Sequence, residues 1–401
     1  MRRNGTKFLV LEGIISMTLN LRERTEHSGI ITQYNPIQRD MTVLGPDGKP
    51  VRGFDQSMIK YPLRVVLEID SQCNFRCQYC SEGKSPPKFQ IPTEKVRGLI
   101  DDCEEMQVHE LTLRGGEATL HPGFYDVWNH ATNKYFLSTN VITNGFVFDF
   151  DKVRKLLENP RSKIIASLDG FPEINSLYRN PAQFKKVLGW LEPSLKEKPD
   201  QIVLLSVIYR QNYEQLPAFA RSMAERGLEF FHLSPLKRLG RSEIAESNFV
   251  SHREINKLQK DLEGISTDFP HFKPTVSCTA LDKYETNKTH HIPMPFFTEM
   301  HFGSGVKVTP KGEVMVNRGI MFTDRFKQKY TEKAVLEPLG LIYDGRNLKD
   351  IWSQSLELRL KQGEIADSHY GYYLGWLKNL DNKTSVDPLV VMSQVGQFDG
   401  I

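Results

Sequence analysis

Between about residue 60 and residue 265, short apolar segments alternate with amphipathic ones. Six apolar runs have the length and β-branched content of buried strands. They are Leu63–Ile69, Glu110–Arg114, Phe136–Thr143, Lys163–Leu168, Ile202–Tyr209 and Glu229–Leu233. The segments with helical periodicity are Thr93–Met106, Phe124–Lys134, Asp151–Glu158, Ala182–Leu191, Tyr213–Arg226 and Arg253–Leu262. This alternation predicts βαβ units, and therefore an α/β fold with a parallel sheet.

The regions on either side of this alternation have different patterns. Residues 1–60 contain no convincing helix and are expected to be short strands or an irregular lead-in. We expect the parallel-sheet domain to span residues 61–265. A smaller α+β module then spans 266–385, with a hairpin around Pro310-Lys311-Gly312 and a helix over Leu348–Lys361. Residues 386–401 are read as a tail.

Composition excludes several classes of protein. A net charge of +3, from 52 basic and 49 acidic residues, gives no reason to expect nucleic-acid or membrane binding. The apolar stretch Phe8–Leu19 is too short for a membrane span and contains Glu12. Without a recognisable signal peptide, the chain is expected to be cytoplasmic. Five cysteines in 401 residues also argue against a disulfide framework.

Three of the five cysteines lie within eight residues, directly after the first predicted strand of the sheet. They are Cys73, Cys77 and Cys80, in the pattern C-x3-C-x2-C. Right-handed crossovers place this loop on the sheet edge where α/β proteins carry their chemistry. Three thiolates can bind three irons of a cubane and leave the fourth open. The alternative is a zinc site completed by a distant residue such as His121.

With these cysteines in place, the chain resembles the radical S-adenosylmethionine (SAM) superfamily, clearly over about residues 62–240. The resemblance implies a partial (β/α)6 barrel of the TIM type. It also implies one [4Fe–4S] cluster on Cys73, Cys77 and Cys80, with SAM bound to the open iron. In that family, electron transfer to SAM gives methionine and a 5′-deoxyadenosyl radical, which takes a hydrogen atom from the substrate.

Further motifs extend the resemblance along the predicted barrel. Tyr79 matches the family's aromatic position before the third cysteine. Gly115-Gly116-Glu117 resembles the motif that binds the SAM amino group, although Ala118 stands where proline is usual. Two glycines let the backbone approach a ligand closely, and a carboxylate accepts hydrogen bonds from an ammonium group.

Later loops supply the remaining residues that the resemblance implies for SAM binding. Asn144 lies in a Thr-Asn-Gly turn near the expected SAM carboxylate. Ser167 and Asp169 resemble the pair that reaches the ribose or the carboxylate. Arg179 in the next helix and Arg238 after the sixth strand match positions where relatives carry arginine.

Residues 300–362 resemble the SPASM or twitch extension of many family members. No cysteine follows Cys278, so this extension lacks the ligands of an auxiliary cluster. Cys278 itself is a candidate hydrogen donor to a substrate radical, as in the family's epimerases. The alternative is a buried, inert cysteine.

The leading hypothesis is therefore a radical SAM enzyme that abstracts hydrogen from an organic substrate, with epimerisation or rearrangement as possible outcomes. The substrate is a small metabolite, such as a sugar or nucleoside, or a ribosomally made peptide. The lack of a helix-rich leader-binding module in residues 1–60 favours the small molecule slightly. Flavodoxin or ferredoxin is the expected electron donor. The alternative is a non-catalytic iron–sulfur or zinc scaffold protein.

Overall fold

The computed structural model describes residues 21–37, 40–51, 56–80, 88–134, 137–236, 246–277, 292–293, 304–316, 337–360 and 362. Its strands in chain order are β1 (Arg22–Thr25), β2 (Ile31–Asn35), β3 (Asp40–Leu44), β4 (Arg64–Asp70), β5 (Glu110–Gly115), β6 (Ser138–Thr143), β7 (Ser162–Ser167), β8 (Ile202–Ile208), β9 (Phe230–Pro235), β10 (Lys273–Val276), β11 (Ile292–Pro293), β12 (Gly305–Val308), β13 (Glu313–Val316) and β14 (Gly340–Leu341). The helices are α1 (Thr93–Glu105), α2 (Phe124–Thr132), α3 (Phe150–Leu156), α4 (Pro172–Tyr178), α5 (Gln183–Glu197), α6 (Arg210–Tyr213), α7 (Leu216–Glu225), α8 (His252–Asp268) and α9 (Leu348–Gln354).

The main sheet is built around the six strands from β4 to β9, which follow one another in chain order and are all parallel. Every predicted barrel strand is present, with boundaries that differ by at most two residues. Beyond β9 the sheet continues with parallel β10, and beyond β4 with parallel β12. This arrangement confirms the expected α/β partial barrel, whose strand C-terminal ends share one rim.

The outer face of the sheet is covered by helices. Alternate residues of β4, namely Val65, Leu67 and Ile69, share one buried cluster with Leu99 and Cys103 of α1. Since successive side chains of a strand point to opposite faces, the intervening residues of β4 face the interior of the barrel. Cys103 is completely buried on α1, as an inert core cysteine should be.

The N-terminal strands form a separate antiparallel sheet, in the order β1-β2-β3-β11. This sheet lies against the end of the barrel opposite the cysteine loop. Tyr34 Oη of β2 donates to Glu110 Oε2 at the start of β5, over 3.0 Å. Lys163 Nζ, at the start of β7, donates to the carbonyl of Ile37 over 2.9 Å. The small sheet therefore closes the bottom of the barrel and leaves the rim open.

The C-terminal segment continues the barrel sheet. The hairpin predicted around Pro310-Lys311-Gly312 is present as β12 and β13, and β12 pairs with β4. Helix α9 contacts α1, where the main-chain amide of Leu348 donates to Asp102 Oδ2 over 2.8 Å. Residue 265, the expected boundary, lies within α8, and the strands β10, β12, β13 and β14 that follow it belong to the same sheet as β4 to β9. No helix in the described ranges has the length and apolar character to cross a membrane.

Arg24 provides a further, buried polar contact between the small sheet and the barrel. Its guanidinium pairs with Glu26 over 2.7 Å, and both side chains are almost fully buried. The same group donates to four main-chain carbonyls, at the start of β4 and the end of α1: those of Tyr61, Pro62, Met106 and Gln107. An alanine at this position would leave these oxygens without their donor. The Glu26 carboxylate would keep the Thr32 hydroxyl and the Lys60 amide as donors but would lose its countercharge.

We expect Arg24→Ala to lower the free energy of unfolding by about 3–5 kcal/mol, because it leaves a buried carboxylate unpaired. Urea titration of the full chain, followed by tryptophan fluorescence, measures the change. Arg154→Ala is the matched control: its side chain is 66% exposed in a loose pair with Glu197, and we expect an effect within about 0.5 kcal/mol. Equal, small effects of the two substitutions would contradict this role for Arg24.

Candidate functional site around the cysteine loop

The three clustered cysteines lie on the loop that leaves the C-terminal end of β4. All three are free thiols; Cys73 is exposed, and Cys77 and Cys80 are half-buried. The main-chain amide of Phe75 donates to the Cys73 sulfur over 3.3 Å. The buried Phe75 ring anchors the loop by an edge contact with Phe146, at a centroid distance of 5.5 Å. The loop therefore has a fixed apolar anchor while its thiols remain accessible.

The stem of this loop is held by the two glycines that end β5. The amide of Gly116 donates to the Asp70 carbonyl over 2.8 Å, and that of Glu117 to the Gln72 carbonyl over 2.7 Å. A Cβ at Gly115 would lie 2.1 Å from the Asp70 oxygen, and one at Gly116 2.3 Å from the Gln72 oxygen. The missing side chains let the backbone that carries the cysteines approach the end of β5, and the expected role of the two glycines in binding SAM stays a prediction.

The Glu117 carboxylate joins the end of β5 to the end of β6. Its Oε1 accepts from the hydroxyls of Thr119 and Thr143, each over 2.7 Å. Its Oε2 accepts from the amide of Asn144, also over 2.7 Å. Burial raises the pKa of Glu117, and these donors oppose the shift by stabilising the charged form. Because an ionised carboxylate has about four acceptor positions, Oε2 keeps capacity for one more donor.

Asn144 completes the connection from β6 back to the cysteine loop. Its Nδ2 donates to Asn74 Oδ1, within the cysteine motif, over 2.7 Å. Gln183 of α5 donates to the carbonyls of Asn144 over 2.8 Å and Ser167 over 2.7 Å. The predicted residues Glu117, Asn144 and Ser167 are thus brought together around one loop.

A second network holds the cysteine loop against the end of β7. Asp169 is completely buried and accepts from Arg179 Nε over 2.6 Å and from the Tyr79 hydroxyl. It also accepts from Arg179 Nη2 over 3.3 Å and from the amide of Val207 over 2.9 Å. The Arg179 guanidinium lies 5.2 Å from the centre of the Tyr79 ring. All four acceptor positions of the Asp169 carboxylate are therefore occupied within the protein.

Sequence reasoning identified eight of these residues and missed others. It found Tyr79, Gly115, Gly116, Glu117, Asn144, Ser167, Asp169 and Arg179, which all lie around the cysteine loop. It missed Asn74 and Gln183. Gln183 lies on the apolar stripe of α5 with Val187 and Trp190. A polar residue within an apolar stripe is the sequence feature that could have marked Gln183 as a buried hydrogen-bonding residue. Arg238 and Cys278 lie outside the described residues.

The donor set of this loop fits an iron–sulfur cluster by its chemistry. Partial burial of the thiol raises the pKa of Cys73 to about 11, and Glu117, Cys77 and Cys80 add to the shift by repelling the thiolate. Burial also raises the pKa of Cys77, against the opposing effect of the nearby Arg179. Within the described ranges, no group of three or more His, Cys, Asp and Glu side chains is already arranged to hold a metal ion. Iron binding therefore has to draw the three thiols together and release their protons.

His121 does not support the zinc alternative. It is buried, its Nε2 donates to the Ile91 carbonyl over 2.8 Å, and its Nδ1 accepts from the amide of Gly123 over 3.1 Å. Both ring nitrogens are thus engaged in hydrogen bonds. A neutral imidazole in this arrangement has no nitrogen lone pair left for a metal.

We expect Gly116→Ala to displace the stem of the cysteine loop, because its Cβ would overlap the Gln72 carbonyl. The iron bound per chain after anaerobic reconstitution should fall to less than about half of the wild-type value. Gly98→Ala is the control, because a Cβ there meets nothing within 4 Å on the exposed side of α1. Full iron binding by Gly116→Ala would show that the glycine does not position the loop.

Comparison with known proteins finds relatives for part of this chain. A model of the radical SAM superfamily matches residues 68–223. The mycofactocin maturase MftC of Mycolicibacterium smegmatis is 28% identical over 190 residues, which are 47% of this chain and 48% of that protein. The PqqA peptide cyclase of Bradyrhizobium diazoefficiens is 26% identical over 163 residues, which are 39% of this chain and 42% of that protein. The chain thus spans about half the length of the curated relatives it matches.

The fold has solved counterparts as well. The crystal structure of Streptococcus suis SuiB bound to the precursor peptide SuiA superposes with a TM-score of 0.56 at 14% identity, covering 74% of this chain and 66% of SuiB. The superfamily uses a [4Fe–4S] cluster and SAM, which agrees with the expected cofactors. The matched domain spans β4 to α7 and includes the cysteine loop and the residues that hold it. Residues 68–223 of this chain are therefore similar to the radical SAM superfamily.

Proposed function

We propose that this protein is a radical SAM enzyme whose single [4Fe–4S] cluster is held by Cys73, Cys77 and Cys80. When bound, the cluster and SAM supply a 5′-deoxyadenosyl radical that abstracts hydrogen from the substrate. The observation that carries the proposal is the cysteine loop itself. Its three free thiols lie at the rim of the barrel, and its stem is fixed by main-chain bonds to β5. The chain's own contribution is to position the cluster and SAM there.

Glu117 and Asn144 support a site for the amino acid part of SAM beside the loop. Glu117 Oε2 accepts one bond, from Asn144, and an ammonium group is a suitable second donor. Gly115 and Gly116 directly precede Glu117 in the chain, and Ser167 ends β7 on the same rim. We assign these residues to SAM binding.

We propose an indirect part in SAM binding for Asp169. Its carboxylate is saturated by Tyr79, Arg179 and the amide of Val207, so a ribose hydroxyl would have to displace one of them. Its contribution is to hold Tyr79 and Arg179 against the cysteine loop. The charges of Asp169 and Arg179 neutralise each other, and their side chains are 0% and 7% exposed, respectively.

We further propose that the substrate is a peptide. One relative is named a peptide cyclase, and this outweighs the slight preference for a small metabolite drawn from residues 1–60. We propose that residues 266–385 form a degenerate SPASM-like module without its own cluster, since this part has a single cysteine, Cys278. A flavodoxin or ferredoxin would deliver the electron.

Anaerobic reconstitution tests this function. We expect about four irons and four sulfides per chain, and formation of 5′-deoxyadenosine from SAM after reduction. Cys77→Ala should lose both the iron and the product. Cys103→Ala is the matched control, because Cys103 is buried near the C-terminal end of α1, where its carbonyl accepts from the amide of Val108 just before the start of β5. We expect it to retain both at some cost in stability, about 1 kcal/mol.

Three results would contradict the proposal in different ways. About eight irons per chain would show a second cluster and a misinterpreted C-terminal module. Zinc in place of iron, with no cleavage of SAM, would favour a scaffold protein. Transfer of deuterium into 5′-deoxyadenosine from a labelled metabolite, and not from a peptide encoded beside the gene, would exclude the peptide substrate.

A further inference from the structure

The interior face of the barrel carries a charged cluster that has no part in holding the cysteine loop. Glu68 of β4 lies between two cations on neighbouring strands. Its Oε1 is 3.1 Å from Arg114 Nη2 of β5 and 3.4 Å from Lys307 Nζ of β12. Glu68 pairs in register with Arg114, and Lys307 pairs with Val66, so the three side chains share one face. That face is opposite to the one covered by the helices.

The accessible part of this cluster is cationic. The Glu68 side chain is 2% exposed, whereas those of Arg114 and Lys307 are 33% and 24% exposed. The carboxylate therefore lies behind the cations and orients them. A pair of cations oriented in this way is suited to bind a carboxylate, which a guanidinium can hold through two hydrogen bonds.

Glu68 and Arg114 are neighbours in a row of side chains that crosses the interior face of the sheet from strand to strand. Beyond Arg114 the side chains of this row are apolar. Val141 pairs with Leu113, so the next residue, Ile142, continues the row on β6. Ile142 pairs with Ile165 of β7, Ile165 follows in register with Val203, and Val203 with Phe230. Ile165, Val203 and Phe230 form a separate buried cluster, against which Ile142 and Leu205 pack while still partly exposed. One wall of the interior thus runs from cationic to aliphatic.

The charged end of this row lies next to the proposed SAM site, whereas Val203 and Phe230 lie near the starts of β8 and β9. Arg114 immediately precedes Gly115-Gly116-Glu117, and Glu68 lies two residues before the end of β4. A molecule on this wall would reach the rim from the interior of the barrel. This is where a substrate has to lie if hydrogen is abstracted by a radical formed at the rim.

We propose that Arg114 and Lys307 bind a carboxylate of the substrate, and that an adjoining aliphatic portion packs on Ile142 and Leu205. For a peptide, the carboxylate is an acidic side chain or the C-terminus. The proposal rests on the proposed function, because only that function makes the barrel interior a substrate site. Arg114 and Lys307 then determine specificity for acidic substrates.

Protection from chemical modification tests the carboxylate site without requiring the true substrate. The full-length reconstituted protein is treated with phenylglyoxal under anaerobic conditions, and modification of Arg114 and Arg154 is followed by peptide mass spectrometry. Hexanoate is the probe, and hexanamide is its neutral counterpart. We expect hexanoate to slow modification of Arg114 by roughly fivefold at saturation, with half-protection at roughly 1–10 mM. Hexanamide should not protect Arg114, and neither compound should protect the exposed Arg154.

Variants of the β12–β13 hairpin provide the second arm. Lys307→Gln should raise the half-protection concentration of hexanoate by about fivefold, because it removes one partly exposed ion pair with the bound carboxylate. Lys311→Gln, at the exposed turn of the same hairpin, should leave it unchanged. Equal protection by hexanoate and hexanamide, no protection by either, or equal behaviour of the two variants would overturn the proposal.

This test is separable from that of the proposed function. A protein that forms 5′-deoxyadenosine but shows no selective protection of Arg114 keeps its function and loses this carboxylate site. Selective protection in a protein that does not cleave SAM leaves the carboxylate site standing and removes the radical reaction.

Discussion

Two main-chain hydrogen bonds extend the pairing of β4 and β5 beyond the end of the sheet. They run from the amides of Gly116 and Glu117 to the carbonyls of Asp70 and Gln72. Because the cysteine motif begins one residue later, these bonds set the direction in which the loop leaves the barrel. They require glycine at two successive positions, since any Cβ there would overlap the opposite backbone. The contacts that Glu117, Asn144 and Tyr79 make all depend on this position of the cysteine loop.

Around the stem, buried polar side chains tie successive strand ends to the loop. Glu117 reaches β6, Asn144 reaches the motif itself, and Asp169 holds Tyr79 from β7. A buried carboxylate is costly unless donors surround it, and both carboxylates here have them. A rigid frame of this kind leaves conformational change on iron binding to the three thiols. Arg114 and Lys307 take no part in this frame, because their side chains lie on the interior face of the sheet.

Much of the fold followed from periodicity, because parallel strands buried on both faces read as apolar runs and their helices as amphipathic ones. Helix α5 was predicted to end at Leu191 but continues through Pro193 to Glu197. Trp190, Leu191 and Leu195 are buried there, and this tertiary packing offsets the local cost of proline. The site residues were found through motif order. Their hydrogen-bond partners were not predictable, because the bonds that Asp169 accepts and those that Gln183 donates join segments that are distant in the chain.

The central claim is that three cysteines hold a cubane whose fourth iron binds SAM. Electron paramagnetic resonance of the reduced, reconstituted protein, recorded with and without SAM, measures this most directly. We predict a [4Fe–4S]⁺ signal whose g values shift when SAM is added, because the amino and carboxylate groups become ligands of one iron. A signal that is identical with and without SAM would show that the open iron position does not bind it, and would contradict the account.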